Sequence, residues 1–530
     1  MSFSDHEIDG RPKKVAVIGA GISGVVAAAH LLREGIEVTV FERSSVSGGV
    51  WTYDERVPVE PDYTSVHATD DDPADSDEVL QHSDLHHAPP GPCYEGLHNN
   101  VYTRMLETTL HPFAPGTPDV VRHSVLADYI RDTSVKTGVH AITTYNTKVS
   151  SVRQISHQPP LWSVSSTTLQ ASPSGTRTLE KSTSQYTHVV VASGHYHTPR
   201  IPRIPSLAFF KSAYPTRILH SKAYRSPSKF AHKTVLLIGA SVSSTDIARE
   251  LGPVAKTIYQ SHRGGAFDLP ASMLPENGVR VEEVIGFEGV EGKEWKEELK
   301  EEDALPVRVR LKDGKTICGV DFVVLCTGYH MTLPFLRDYY YNAPIPTYCS
   351  SDSSSEDSSS GRSDTGTASP TSSLSRTEDG EEGTSKTTLL TTGHQIHNLH
   401  KHMFYIPCPS LLFIGIPYYT ATFTLFEFQA QFAAKVVAGK VSLPSTNAMR
   451  EEYEELVKAK GSGKGFHSLK GEEEVYVTEL VGYANRQLKG EERLVGHGKV
   501  WKEARLELIE KMKEMAEGKG GGGREIEVSC

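Results

Sequence analysis

The sequence predicts an α/β protein with two Rossmann-like domains, the second inserted within the first. A buried strand, a glycine-rich turn and a helix open the chain, and the same order of strand, small-residue turn and helix returns near residue 233. The segment DFVVLCTG at 321–328 also repeats the strand-to-glycine pattern of 187–194. Strands separated by helical segments predict parallel sheets, and 530 residues are too many for one compact core.

Composition predicts where these domains begin and end. An acidic, Pro-rich stretch has no hydrophobic periodicity and indicates a surface loop. A later stretch of Ser, Thr, Asp and Glu has too few apolar residues to offset the entropy of ordering, and we expect it to be disordered. The expected divisions are a first domain at 13–200 with the acidic loop at about 57–92, a second domain at 201–325, the remainder of the first domain at 326–347 and 389–517, and the disordered segment at 348–388.

The overall charge and cysteine pattern exclude several function classes. The net charge is −11, and no basic patch indicates a nucleic-acid partner. The six cysteines include no C-x-x-C pair, so we expect neither a thioredoxin-type redox pair nor a metal site. We expect no membrane span, because no run of about 18 apolar residues occurs. The N-terminus lacks the apolar core of a secretory signal, and the expected location is cytoplasmic.

The first turn lies where a buried strand runs directly into a helix of small residues. Its G-x-G-x-x-G pattern comprises Gly19, Gly21 and Gly24, and Ser23 lies in the first turn of the helix. The three glycines permit the tight turn, the approach of a pyrophosphate and close helix packing, respectively. Free N–H groups and the positive end of the helix dipole then face the phosphates. Glu42, at the end of the following strand, is expected to bind a ribose diol.

The second turn has the same context, but serine replaces two of its three glycines. Serine is small and its hydroxyl can donate to phosphate, so we expect binding to persist. No acid follows the next strand, and an arginine there suits the 2′-phosphate of NADP(H). An acid at one turn and an arginine at the other imply two cofactors, one held permanently and one that exchanges. The residues expected at this site are Gly239, Ser241, Val242, Ser243, Ser244 and Arg263.

Several further segments carry a family resemblance. GGVW follows the acid Glu42, YEGLHNNV covers 94–101, NTKVSSV covers 146–152, and FIGIP covers 413–417. With these motifs the chain resembles the flavin-containing monooxygenases, and more narrowly their fungal members, over roughly residues 13–440. The segments around Gly194 and Gly328 look like the two chain crossings between the domains.

The resemblance implies FAD at the first turn and NADPH at the second. Asn99 stands where the family usually has threonine, and Val149 looks like the residue whose backbone meets the adenine. In the family's F-x-G-x-x-x-H-x-x-x-[YF] motif, His220 and Tyr224 fit, but Tyr214 and Thr216 replace the Phe and Gly. The residues implied to contact FAD beyond the first turn are Gly49, Val50, Trp51, Asn99, Asn100, Val101 and Val149.

The resemblance also implies a reaction with O2 and a small-molecule substrate. NADPH reduces FAD, O2 adds at the flavin C4a position, and a soft nucleophile takes the distal oxygen of the hydroperoxide. Asn100 matches the family asparagine and is implied as the catalytic hydrogen-bond donor to that hydroperoxide. Such an adduct needs exclusion of water, because it otherwise eliminates peroxide.

Three functions remain open from the sequence. The first is N- or S-oxygenation of a small amine or sulfur compound. The second is Baeyer–Villiger oxygenation of a ketone, and the third is a flavin–NADPH binding protein that acts as an uncoupled NADPH oxidase. The sequence does not assign the substrate, the oligomeric state, or a place in primary or secondary metabolism.

Deleting residues 350–385 and rejoining the ends should leave flavin content and turnover nearly unchanged. The segment has almost no apolar residues to bury, and a long surface loop adds little closure entropy. The measurements are the visible flavin spectrum, the melting temperature and the turnover rate. Loss of flavin, or a large fall in the melting temperature or the turnover rate, would contradict the expectation.

Overall fold

The computed structural model describes residues 7–8, 11–64, 83–171, 177–290, 299–341 and 386–517. Most of the segment predicted to be disordered, 348–388, lies outside these residues. Its last three positions are described, and Thr388 among them is buried. The described part of the predicted acidic loop, 57–64 and 83–92, includes a short helix, Ser83–His87, which its lack of periodicity did not indicate.

The described strands are mostly short. In chain order they are β1 Glu7–Ile8, β2 Arg11–Pro12, β3 Lys14–Ile18, β4 Glu37–Phe41, β5 Thr143–Thr144, β6 Thr147–His157, β7 Pro160–Ala171, β8 Arg177–Tyr186, β9 His188–Val191, β10 Thr198–Pro199, β11 Ile218–His220, β12 Thr234–Ile238, β13 Thr257–Ser261, β14 Gly278–Val281, β15 Val284–Gly289, β16 Val307–Leu311, β17 Thr316–Ile317, β18 Phe322–Leu325, β19 Tyr329–His330, β20 Leu399–His400, β21 Phe404–Tyr405 and β22 Leu411–Phe413.

The α-helices divide between those that cover the sheets and those that follow the last strand. In chain order they are α1 Ile22–Arg33, α2 Ser83–His87, α3 Thr103–Leu106, α4 His123–Lys136, α5 Leu207–Ala213, α6 Val242–Leu251, α7 Thr422–Val437, α8 Thr446–Lys460, α9 Glu473–Asn485 and α10 Lys499–Ala516.

The first sheet has seven strands in the order β20-β21-β22-β9-β3-β4-β5. The pairs from β22 to β5 are parallel, and the two pairs that involve β21 are antiparallel. Its central strands are apolar runs, as expected for strands buried on both faces. Val15 and Val17 of β3 face α1, α4 and α7, whereas Ala16 and Ile18 face the sheet β6-β7-β8. We call this sheet with its covering layers the first unit.

The second sheet has five parallel strands in the order β11-β18-β12-β13-β14. All of them lie in the chain between β9 and β20, so this sheet is inserted within the first unit. The chain enters and leaves through β10 and β19, which pair as an antiparallel ladder. The predicted α/β fold class is therefore confirmed, whereas the exact domain boundaries stay predictions. We call the second sheet with its helices and the small sheet β15-β16-β17 the second unit.

The C-terminal helices pack beside the first unit. Trp501 and Ala504 of α10 are buried against Tyr102, Met105 and Ala421, close to the start of α7. The far end of α10 meets the second unit, where the Ser272 hydroxyl donates to backbone carbonyl groups of the last residues of α10. No helix along the described ranges combines the length and apolar character needed to cross a membrane.

Candidate functional site

The first turn adopts a backbone that only glycine tolerates easily. Gly19 has φ +105°, and a Cβ there would lie 2.6 Å from the carbonyl oxygen of Ala192. A Cβ on Gly24 would overlap the carbonyl oxygen of Gly19. Helix α1 therefore begins directly against the turn, and the Ser23 hydroxyl lies against Gly415 at the end of β22. These contacts leave the N-terminus of α1 open towards the adjacent loop.

Two glycine backbones face each other in front of that helix. The Gly48 N–H donates to the Ala20 carbonyl at 3.1 Å and holds the next loop against the turn. A Cβ on Gly49 would lie 2.9 Å from the Gly21 Cα, but a Cβ on Gly21 would keep an ordinary 3.5 Å from the Gly49 Cα. The cradle beside the unpaired N–H groups of α1 suits the pyrophosphate of a dinucleotide.

Val50 and Trp51 follow this cradle in a 3-10 turn, Gly49–Trp51, and both are half-buried. The Trp51 ring packs edge-on against Phe423 of α7, with the ring centroids 6.3 Å apart. The turn is thereby held against the helix that follows the last strand of the first sheet. This packing leaves the exposed backbone of Gly49 facing the cradle.

Glu42 is buried at the end of β4. One carboxylate oxygen accepts from the Ala20 N–H at 2.6 Å, and the other accepts from the Ser44 N–H at 2.8 Å. An ionised carboxylate has about four acceptor sites, so capacity remains for a ribose diol. The Glu42 carbonyl also accepts from the Thr147 N–H at 2.8 Å, and Val149 lies buried two residues further along β6. The structure thus brings Glu42 and Val149 to one edge of the first sheet.

The second turn repeats the construction of the first. Gly239 has φ +117°, and a Cβ there would overlap the Cys326 carbonyl oxygen. Ser241 precedes α6 and its hydroxyl lies 3.3 Å from the hydroxyl of Tyr419, which belongs to the first unit. Val242 is half-buried and Ser243 is exposed. These residues therefore line the open end of α6, where a phosphate would bind.

Ser244 lies differently from the other residues predicted at this turn. Its side chain is fully buried, its hydroxyl donates to the Ser241 carbonyl at 3.0 Å, and it accepts from the Gln260 amide at 2.8 Å. The hydroxyl is thus occupied by protein partners and points away from the open end of the helix. Ser244 takes the packing role of the third glycine, because α6 leaves room for a small side chain that α1 does not leave at Gly24.

Three cations surround the carboxyl ends of the second sheet. Arg263 is exposed just beyond β13. The Arg200 guanidinium donates to the Thr327 carbonyl at 3.0 Å, and the Lys464 ammonium lies 4.0 Å from the Cβ position of Gly328. Burial and then the charge of Arg263 lower the pKa of Arg200. Burial and then the charges of Arg200 and Arg263 lower the pKa of Lys464. The three cations therefore lie close enough to influence one another.

This cationic region lies at the point where the strand order of the second sheet reverses. Chain order runs outward from β12 to β13 and β14 on one side, and β18 and β11 lie on the other. In doubly wound sheets, ligands bind outside the carboxyl ends of the strands at such a switch point. The cations therefore lie where an anionic nucleotide would bind.

Residues 94–97 reach from the first unit into the core of the second. Tyr94 and Leu97 pack with Val235 and Leu237 of β12. The Tyr94 ring meets the Tyr224 ring edge-on at a centroid distance of 5.4 Å. The His-x-x-x-Tyr part of the family motif thus supplies a docking surface for this segment.

Asn99 anchors the next part of the same segment in the first unit. Its amide nitrogen donates to the Val101 and Asp119 carbonyls, each at 2.7 Å, and its amide oxygen accepts from the Val121 N–H at 2.6 Å. Asn100, by contrast, is exposed and has no hydrogen bond to any described residue. The chain therefore fixes Asn99 and leaves Asn100 exposed, next to a segment that contacts both units.

His220 has a structural environment. Its side chain is buried, Nδ1 accepts from the Lys222 N–H at 3.1 Å, and Nε2 donates to the Gly328 carbonyl at 3.1 Å. Burial lowers the pKa of His220 to about 3. The ring is neutral at physiological pH and joins β11 to the crossing strand. No group of three potential metal-ligating residues lies within the described parts of the chain.

Comparisons with known proteins identify the family. Residues 81–285 match the model of the flavin-binding monooxygenase-like family, and residues 17–68 match that of an NAD(P)-binding Rossmann-like domain. Flavin-containing monooxygenase ustF2 from Aspergillus flavus is 41% identical over 520 residues, which cover 94% of this chain and 97% of that protein. The chain belongs to the flavin-containing monooxygenase family. It is a flavin-dependent monooxygenase whose cofactors are FAD and NADPH.

More distant relatives share the fold. Flavin-containing monooxygenase FMO GS-OX-like 7 from Arabidopsis thaliana is 30% identical and covers 82% of this chain and 76% of that protein. The structure of S-allyl-L-cysteine S-oxygenase from Allium sativum aligns with a TM-score of 0.64 at 23% identity, covering 95% of this chain and 93% of that one. The structure of Tmm from a Pelagibacter strain also aligns with a TM-score of 0.64 at 20% identity, covering 95% of this chain and 91% of that one.

Sequence reasoning missed several residues that the structure brings to the site. Lys464 had a usable signal, because it lies in the glycine-rich stretch GSGKG at 461–465. Arg200 and Tyr419 had none, since their role depends on where the first unit meets the second. The contact of Glu250 with the segment at 94–97 was likewise invisible, because only folding brings the two together.

Gly21→Ala should give a folded protein that purifies with little FAD. The added methyl fits beside Gly49 in the free fold but projects into the space reserved for the pyrophosphate. Gly24→Ala is the contrasting variant, because its methyl overlaps the turn itself and should destabilise the whole protein. Flavin content and melting temperature separate the two effects. Native flavin content in Gly21→Ala would mean that the cradle is not the FAD site.

Proposed function

We propose that this monooxygenase transfers one oxygen atom of O2 to a nitrogen or sulfur nucleophile of a small molecule. NADPH, a proton, O2 and the substrate become NADP⁺, water and the oxygenated product. The observation that carries the proposal is the exposed side chain of Asn100, which directly follows a segment that packs into both nucleotide units. The name of one structural relative, S-allyl-L-cysteine S-oxygenase, supports sulfur as one acceptor.

The chain's own residues divide the work between binding and positioning. Bound FAD supplies the redox chemistry that activates O2. The cradle of Gly21 and Gly49 and the carboxylate of Glu42 would hold its pyrophosphate and ribose. The open end of α6 at Ser241 and Ser243 would hold the pyrophosphate of NADPH.

Asn100 would act as a hydrogen-bond donor to the reacting oxygen. Its neighbour Asn99 has both amide N–H groups occupied by backbone carbonyls, so that side chain is not free to donate elsewhere. Asn100 is exposed one residue beyond this anchor. We expect a bound flavin and nicotinamide to meet beside it and to exclude water.

The histidines near the crossings do not provide a proton donor at neutral pH. Burial lowers the pKa of His195 to about 4 and that of His220 to about 3. Both rings are therefore neutral under physiological conditions. This agrees with a site in which the cofactor carries the chemistry and the protein supplies hydrogen bonds and shielding.

A panel of amines, thioethers and ketones tests the proposed reaction. NADPH consumption, oxygenated product and hydrogen peroxide would be measured together for each compound. We expect product from an amine or a thioether in preference to a ketone. Lactone or ester formation from ketones alone would indicate Baeyer–Villiger chemistry, and peroxide without product would indicate an uncoupled oxidase.

Arg263→Ala should raise the KM for NADPH far more than the KM for NADH, since only NADPH carries the 2′-phosphate. A charge-assisted contact contributes about 1.5–3 kcal/mol, or roughly ten- to a hundredfold in KM. Lys499→Ala is the control, because Lys499 is an exposed cation at the start of α10 and its ammonium pairs with Glu503 in the same helix. Equal losses for both coenzymes in Arg263→Ala would remove that residue from the 2′-phosphate role.

Asn100→Ala should keep FAD and accept hydride from NADPH, but release more peroxide and less product. Loss of the proposed hydrogen bond, once the bound cofactors shield it from water, should cost about 1–3 kcal/mol, enough to shift the ratio of product to peroxide roughly five- to a hundredfold. Asn100→Asp keeps the size but removes the N–H donors, and should show the same shift. Asn99→Ala should instead lower the melting temperature and flavin content. Wild-type coupling in both Asn100 variants would refute the role.

A further inference from the structure

Helix α6 links the second nucleotide turn to the segment that carries Asn100. It begins after Ser241 and contains Glu250 in its last turn, about 12 Å from its first residue along the helix axis. One oxygen of the Glu250 carboxylate accepts from the Tyr224 hydroxyl at 2.7 Å. The other lies so close to Gly96 that a Cβ there would overlap it.

The position of Glu250 is unfavourable for the helix by itself. A carboxylate near the C-terminus opposes the helix dipole, and burial raises the pKa of Glu250. The Tyr224 hydroxyl and the charges of His98 and Arg122 act in the other direction, whereas Glu95 adds to the rise. His98 and Arg122 form a bridge between two strands of backbone in the first unit. Part of the stabilisation of the ionised Glu250 carboxylate therefore comes from the first unit.

The segment next to Glu250 is held at both ends. Tyr94 and Leu97 lie in the core of the second unit, and the Glu95 N–H donates to the Arg225 carbonyl at 2.9 Å. Asn99 is hydrogen-bonded in the first unit, two residues after Leu97. A shift of Glu250 against Gly96 would therefore be transmitted to Asn100 over four residues.

We propose that Glu250 is a positioning residue that couples occupancy of the second nucleotide turn to the placement of Asn100. The inference rests on the proposed function only for the role of Asn100. Phosphate binding at the start of α6 fixes the helix, and the carboxylate near its end holds Gly96 and the segment that follows. The glycine at position 96 is required because the carboxylate occupies the place of a side chain.

The test compares Glu250→Ala with Arg249→Ala in the FAD-loaded enzyme. Arg249 is the exposed neighbour in the same helical turn and pairs with Asp246 instead of the segment. The first readout is the change in the flavin visible spectrum on adding NADP⁺, without substrate or turnover. We expect Glu250→Ala to lose this change while its Kd for NADP⁺ stays within about threefold of wild type, a difference well below the tenfold that 1.4 kcal/mol gives.

The second readout is the ratio of peroxide to product during turnover. Glu250→Ala should raise it several-fold, Glu250→Gln should recover part of the coupling by keeping the acceptor for Tyr224, and Arg249→Ala should resemble wild type. If Glu250→Ala loses FAD, Gly96→Ala replaces it, because the added methyl displaces the carboxylate and leaves α6 intact.

The two readouts separate failure of the inference from failure of the proposed function. A wild-type response of the flavin spectrum to NADP⁺ in both Glu250→Ala and Gly96→Ala would overturn the inference. Loss of that response in an enzyme that forms no oxygenated product from any substrate would support the inference and contradict the proposed function. If an increase in the Kd for NADP⁺ accounts for all of the lost spectral response, Glu250 acts in nucleotide binding. That result would overturn the proposed coupling.

Discussion

The docking of residues 94–99 across two separately built units is the constraint on which the rest of the site depends. Tyr94 and Leu97 are buried with β12 of the second unit, and Asn99 is hydrogen-bonded within the first. Because both units hold this segment, it cannot move with one unit alone. It joins the two units that carry the nucleotide turns, and the residue that follows it, Asn100, is exposed. Because the buried rings and the fully used amide hold residues 94–99 together, we expect a displacement at one end of the segment to be passed to the other.

The two nucleotide turns show how one construction tolerates different sequences. Both need a glycine with positive φ, because the backbone passes close to a carbonyl oxygen of the neighbouring strand: Ala192 for Gly19 and Cys326 for Gly239. They differ at the third small position. Helix α1 touches its turn at Gly24, whereas Ser244 fits under α6 and bonds to Gln260. The serine at the third position of the second turn therefore reflects looser packing of α6. The N-terminal end of that helix stays open.

The sequence predicted what depends on local structure. The turns at Gly19 and Gly239 were recognisable because strand, turn and helix are contiguous in the chain. The inserted arrangement of the second sheet followed from the order of those patterns. Residues that meet only after folding were not predictable: Glu250 and Gly96 lie 154 positions apart, and their contact depends on how the units dock. The same reason explains why Arg200 was not predicted beside Arg263, whereas Lys464 lies in a glycine-rich stretch that could have indicated it.

A crystal structure of the enzyme with both FAD and NADP⁺ tests the central claim most directly, namely that the seam between the units is the site of oxygenation. We predict that the Asn100 amide lies within about 3 Å of a polar atom of the flavin or nicotinamide. We also predict phosphates at the open ends of α1 and α6. An Asn100 side chain directed to bulk solvent, with the flavin ring and nicotinamide meeting elsewhere, would contradict it.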